Sequence, residues 1–91
     1  MGKEQCTVHF SGTVQGVGFR YTACRVAAHH KVTGYVRNLP DARVECVVEG
    51  EAAEIEAFLA DLAEAMGEYV TERTQTKAPY SGAYQSFGVR F

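Results

Sequence analysis

The sequence predicts an α+β fold, a mainly antiparallel sheet with two helices packed on one of its faces. Three observations predict it. Stretches that alternate with period two interleave with helical stretches in the order strand, helix, strand, strand, helix, strand, followed by a terminal strand. Ile55, Phe58, Leu59, Leu62 and Met66 fall at i, i+3, i+4, i+7 and i+11, one continuous apolar stripe along a helix. A tight glycine-rich turn, Gly12-Thr13-Val14-Gln15-Gly16-Val17-Gly18-Phe19-Arg20, joins the first strand to the first helix. Elements in this order suit helices segregated to one face of a sheet.

Each element follows from local pattern. Residues 1–5 read as a loose lead-in. Over 6–11, Cys6, Val8 and Phe10 share one face while Thr7, His9 and Ser11 take the other, so His9 is an outer-face residue rather than a catalyst. The first helix, over about 22–31, groups Ala23, Val26, Ala27 and His30, and its alanines allow close approach to a sheet. His29, His30 and Lys31 fall in its last turn, where cations suit the negative end of the macrodipole.

The second strand, over 35–39, puts Val36 and Asn38 on one face and Tyr35, Arg37 and Leu39 on the other. Pro40-Asp41-Ala42 makes a short hairpin turn. It leads into a third strand over 43–49, with Val44, Cys46 and Val48 inward and Glu45, Val47 and Glu49 outward. Glu51 and Glu54 suit the start of the second helix, and Gly67 its stop. Burying that helix's five-residue stripe contributes a gross ~7–15 kcal/mol. Residues 71–77 carry threonines and charges with almost no large apolar side chain, the pattern of a charge-protected edge strand. Pro79-Tyr80-Ser81-Gly82 turns the chain, and 86–91 alternates Phe87, Val89 and Phe91.

Ninety-one residues suit one domain over 1–91 with a core that needs no disulfide or metal. A hydrophobic content of 46% with 22% charged residues is that of a globular protein. The net charge of −2 supplies no basic field for tracking a nucleic-acid backbone. No apolar run approaches a membrane span, and the start carries no signal-like apolar stretch, so the expected location is the cytoplasm. Three cysteines, Cys6, Cys24 and Cys46, without CxxC or Cys/His spacing, argue against a disulfide framework and against zinc. Each reads as a small buried apolar residue.

The glycine-rich turn carries the chemistry. Its glycines permit backbone angles that a Cβ would forbid, and a loop this tight entering a helix can turn several N–H groups inward as an anion nest. Arg20 adds a permanently charged fork suited to phosphate oxygens. The turn is neither Gly-x-Gly-x-x-Gly nor a P-loop ending Gly-Lys-Ser/Thr, so the pattern indicates an anion site without nucleotide chemistry, or plain turn geometry beside a solvated arginine.

The block Gly12-x-Val14-Gln15-Gly16-Val17-x-Phe19-Arg20, followed by Gly34-Tyr35-Val36-Arg37-Asn38, resembles the two-part signature of acylphosphatases. Asp41-x-Arg43-Val44-Glu45 and Glu49-Gly50-Glu51 add to the likeness, which is dense from about residue 8 to 62 and thin beyond. The resemblance implies a ferredoxin-like two-layer sandwich and hydrolysis of a small acyl phosphate to carboxylate and inorganic phosphate. It also implies roles. Arg20 and the backbone of Gln15, Gly16, Val17, Gly18, Phe19 and Arg20 would clamp the phosphoryl group, and Asn38 would orient the attacking water.

In such a sandwich the first and second strands are parallel with a third between them, so their C-terminal ends, and hence Arg20 and Asn38, meet at one edge. Such a mechanism works by positioning and charge stabilisation, and no cofactor or metal is expected. The expected partners are the substrate and inorganic phosphate, product and inhibitor at once, with no nucleic acid or membrane, and the chain is expected to be a monomer. Two departures from the family pattern stand out. Ala42 replaces the usual hairpin glycine, and Gly67-Glu68 replaces a Gly-Pro pair, which leaves the register of the fourth strand open.

Three other readings remain. One is a silent phosphate-binding module on the same fold. Another is a relative of the acylphosphatase-like segment that opens a hydrogenase-maturation protein, although a chain ending at Phe91 points to an independent enzyme. The third is an RNA-binding ferredoxin-like domain, which the net charge and the lack of an aromatic-rich third strand disfavour.

Overall fold

The computed structural model describes residues 2–91. Strand β1 (Lys3–Gly12) leads through the glycine-rich turn to helix α1 (Phe19–Ala27). Strands β2 (Thr33–Asn38) and β3 (Val44–Glu51) follow, then helix α2 (Ala52–Met66), and a single 3₁₀ turn over Gly67–Tyr69 enters β4 (Val70–Pro79) and β5 (Phe87–Val89). The sheet order is β4-β1-β3-β2-β5. β3 runs antiparallel to β1 and β2, and β4 antiparallel to β1, while β5 lies parallel to β2.

The alternation of the strands sets the core. Cys6, Val8 and Phe10 from β1, Val36 from β2, and Val44, Cys46 and Val48 from β3 are buried on one sheet face. Phe19, Ala23 and Ala27 of α1 and the whole α2 stripe, Ile55 through Met66, close over them in one cluster.

Several boundaries differ from the pattern-based expectation. Lys3–Gln5 are strand rather than lead-in, because β1 pairs with β3 from Lys3↔Glu51 onward; Met1 lies outside the described residues. α1 starts three residues earlier than expected and stops at Ala27, so His29, His30 and Lys31 lie in the following turn. There the His30 ring bonds Asp61 of α2 at 2.7 Å. Cys24 is only half-buried, unlike Cys6 and Cys46. β4 takes the open register after a bulge at Ser11/Gly12, with Thr7↔Thr76 and Phe10↔Arg73.

The outer face of β3 departs most. Val47 and Glu49, expected to face water, are 6% and 1% exposed. The reason is the chain between β4 and β5, which must pass from one sheet edge to the other and crosses the face opposite the helices. Ser81 N–H and Oγ–H donate to Glu49 Oε2 at 2.8 and 2.7 Å, Gly82 N–H donates to Oε1 at 3.1 Å, and Gln5, its cross-strand partner on β1, donates Nε2–H to Oε2 at 2.7 Å. Farther along, Tyr84 packs edge-on against Tyr35 and Ser86 O accepts from Gly34 N–H.

Candidate active site at the glycine-rich turn

β1 hands the chain to a turn held by two anchors. Val14 is fully buried, and the Gln15 amide donates to Leu39 O and Arg43 O, both at 2.9 Å. Gln15 thus ties the turn to the β2–β3 hairpin. Beyond it Gly16 and Gly18 adopt φ of 80° and 75°, left-handed conformations that glycine takes without Cβ strain. Gly18 caps α1 with no side-chain hydrogen bond, and the first helical bond runs from Thr22 N–H to Gly18 O at 2.9 Å. The N–H groups of Phe19, Arg20 and Tyr21 therefore have no partner within the helix and sit at its positive end. Phe19 sets the angle of entry, its buried ring 5.0 Å from that of Phe10.

Asn38 ends β2 on the face it shares with buried Val36, toward the helices. With β3 between β1 and β2, the ends of those two strands converge as the topology predicts. The result is one cavity of about 270 Å³, lined by Gly16, Gly18, Phe19, Arg20 and Asn38 together with Val14, Tyr21, Val89 and Phe91. Of the residues expected to form the site, Gln15 and Val17 stand outside this lining. The Gln15 side chain turns to the hairpin, and Val17 packs against the core.

Four lining residues escaped the sequence reading. Nothing in the alternation of Phe87, Val89 and Phe91 says that β5 docks beside β2, which is what brings Val89 and Phe91 to Asn38. For Val14 the signal was available, an apolar residue inside a polar turn.

The electrostatics favour an anion. The ion pairs among the described residues engage Glu4, Asp41, Glu45, Glu54 and Asp61, and none reaches Arg20. A second cavity, of about 530 Å³, mixes Lys3 and Lys31 with Glu49, Glu51 and Glu54 and has no such bias. The thiols lie elsewhere, and burial pushes both the Cys46 and Cys24 thiols up, away from thiolate chemistry. Among the described residues no group of three or more His, Cys, Asp or Glu is placed to hold a metal ion, and no helix is long and apolar enough to cross a membrane.

The sequence matches the acylphosphatase family profile over residues 6–89. The chain belongs to the acylphosphatase family. It is similar to an acylphosphatase of Archaeoglobus fulgidus, 37% identical over 84 residues that cover 92% of this chain and 94% of that protein. The likeness to an acylphosphatase of Methylococcus capsulatus is higher but shorter, 54% over 50 residues, 55% of this chain and about half of that protein, 54%. The fold superposes on the crystal structure of acylphosphatase from Bacillus subtilis with a TM-score of 0.88 at 29% identity, over 97% of this chain and 99% of that one. It also superposes on T. kodakarensis HypF, with a TM-score of 0.83 at 36% identity over 97% of this chain, where it spans only 12% of the larger protein. The fold is thus the ferredoxin-like sandwich of acylphosphatases that the resemblance implied.

Proposed function

We propose that this chain hydrolyses the carboxyl–phosphate anhydride of small acyl phosphates, releasing carboxylate and inorganic phosphate. Membership of the acylphosphatase family supports the reaction class. One observation carries the mechanism: Arg20, the free amides at the α1 N-terminus and Asn38 all border a single cavity. In this reading the phosphoryl oxygens accept from the amides of residues 15–20 and from the Arg20 guanidinium. Gly16, Gly18, Phe19 and Arg20 form the wall nearest the anion.

Asn38 holds a water for in-line attack on phosphorus. The water oxygen forms the new P–O bond as the bond from phosphorus to the acyl oxygen breaks, and the electron pair leaves with the carboxylate. An amide is not a base, so the water's proton passes to a phosphate oxygen of the substrate itself. Arg20 and the amides, fixed before the reaction starts, meet the charge as it develops.

The deciding experiment is a phosphate-release assay on benzoyl phosphate, with and without a chelator. Turnover that survives chelation is expected, because the clamp consists of backbone and arginine. Loss of activity in chelator with recovery on adding a divalent cation would overturn the metal-independent mechanism. Binding of phosphate without any turnover would instead favour a silent anion-binding module.

A further inference from the structure

We propose that Gln15 is a positioning residue, whose side-chain amide sets the distance between the phosphate-binding turn and the water-holding Asn38. The inference rests on the hydrolase reading above and deepens it, by naming what keeps the two halves of that site in register.

The two halves come from strands that do not touch. The turn follows β1, Asn38 ends β2, and β3 lies between them. Ladder bonds therefore cannot join them directly. Gln15 spans the gap, donating Nε2–H to Leu39 O and to Arg43 O, both at 2.9 Å. Asn38 is paired with Val44 at the end of the β2–β3 ladder, so Leu39 and Arg43 form the next step beyond that pair. One side chain of the turn thus grips the hairpin directly beside Asn38.

The two carbonyls do not need this amide for their own sake. Leu39 O also accepts from Ala42 N–H at 3.2 Å, and Arg43 O from Leu39 N–H at 2.8 Å. A carbonyl oxygen has two lone pairs, and each of these uses one within the hairpin and the other on Gln15. Removing Gln15 leaves neither carbonyl without a partner. What its bonds add is a cross-link between turn and hairpin. On the turn side, a Cβ at Gly16 or Gly18 would meet nothing within 4 Å, so this segment has room to shift.

In-line attack requires water and phosphorus to be aligned, and a misplacement of about 1 Å costs about 100-fold in rate. Inorganic phosphate touches the turn alone, whereas the transition state engages the turn and Asn38 together. A slackened cross-link should therefore lower kcat and spare phosphate affinity.

The test uses Gln15→Met, which keeps an unbranched side chain of similar length and deletes both donors. On benzoyl phosphate kcat is expected to fall roughly 10- to 100-fold. The dissociation constant of inorganic phosphate should stay within about threefold of wild type. In an Asn38→Ala background the same change should cost less than about threefold more, because the group it positions is gone. In the ligand-free protein, Leu39 N–H should exchange with solvent about tenfold faster in Gln15→Met, while amides at the centre of β3 keep wild-type rates. Gln15→Glu keeps the shape, sets oxygen in place of the donor, and should reproduce these results at neutral pH should the Met variant fail to fold.

Wild-type kcat in the single variant overturns the proposal. So does a fully additive loss in the Asn38→Ala background, which would make Gln15 act apart from Asn38. Phosphate affinity, kcat and melting point falling together would make Gln15 merely structural and overturn it as well. If wild type hydrolyses no acyl phosphate, the hydrolase reading falls, and exchange at Leu39 still decides whether Gln15 holds the hairpin to the turn.

Discussion

At the scale of single residues, the guanidinium of Arg20 is a fork rather than a point charge. Arg20→Lys keeps the charge but loses paired N–H donors to phosphate oxygens. We expect kcat/KM to fall by about 10²–10³, the usual loss for one charge-stabilising donor, as read by steady-state kinetics. Near-wild-type kinetics would remove Arg20 from the site. Asn38 has a narrower proposed task. Asn38→Ala should lower kcat by about 100-fold or more while phosphate affinity stays within a few-fold, because a water-positioning contact is made mainly in the transition state. A phosphate titration beside kinetics and a thermal melt separates this from a structural role, in which affinity, activity and melting point would fall together. That Arg20 and Asn38 border one cavity was legible in the sequence, since the family resemblance singled out both residues and the strand order brings their strand ends to one edge. The side-chain task of Gln15 was not, since only the folded hairpin places Leu39 O and Arg43 O within its reach.

At the scale of elements, the β2–β3 hairpin carries a strained residue. Ala42 has φ of 76°, where its Cβ is disfavoured and glycine is at ease. The turn is otherwise well tied: Leu39 N–H donates to Arg43 O, and Arg43 donates to Asp41 through N–H and Nε–H. Those bonds from Arg43 hold the exposed Asp41 carboxyl below the usual carboxylate range. Ala42→Gly should stabilise the fold by about 0.5–1 kcal/mol, a melting point roughly 2–8 °C higher by calorimetry, because relief of strain exceeds the added freedom of the unfolded chain. Activity should change little, since Ala42 is not part of the cavity wall.

Elements with strong periodicity were legible throughout. α2 lies where its stripe puts it, from Ala52 to Met66 with Gly67 beyond. The start of α1 was misplaced because no Ser, Thr, Asp or Asn caps it. A left-handed Gly18 does so instead, which a side-chain signal cannot announce.

At the scale of the whole molecule, two buried or half-buried carboxylates organise the face without helices. Glu45 receives the His9 ring at 2.9 Å, Tyr35 Oη–H at 3.0 Å and Arg37 Nε–H at 2.8 Å. Burial works to raise the carboxyl of Glu45 and that of Glu49, yet the donors around each outweigh it and hold both below the ordinary range. The folded state therefore takes up these protons less readily than the unfolded chain. The stability they contribute is present above the ordinary carboxyl value of 4.5 and is lost as pH falls through the depressed values. Glu49→Gln should lower stability at neutral pH by about 1–3 kcal/mol, since charge-assisted bonds to Ser81 and Gly82 are lost. Its denaturation midpoint should also depend less steeply on pH below that value, with Glu45 still supplying part of the slope. A steep acid limb in the variant equal to that of wild type would show that Glu49 carries none of it. The outward pattern of Glu45, Val47 and Glu49 could not reveal this, because alternation tells which face a residue takes and not what later crosses it.

The place of β1 has a further consequence for how the chain is made. Among these elements β1 is made first, yet its ladder partners are β3, which follows two further elements of secondary structure, and β4, made after both helices. Until those arrive, Cys6, Val8 and Phe10 have no sheet to join, and the nascent chain carries their apolar face uncovered. Folding of this topology waits on contacts distant in sequence, which places it on the slower side for a chain of this length and makes the interval during synthesis the period of greatest exposure to wrong partners. Arg73 and Lys77, set opposite Phe10 and Cys6 on β4, put charge on the last strand to close that ladder and so deny its free edge to a neighbouring chain still waiting for its own.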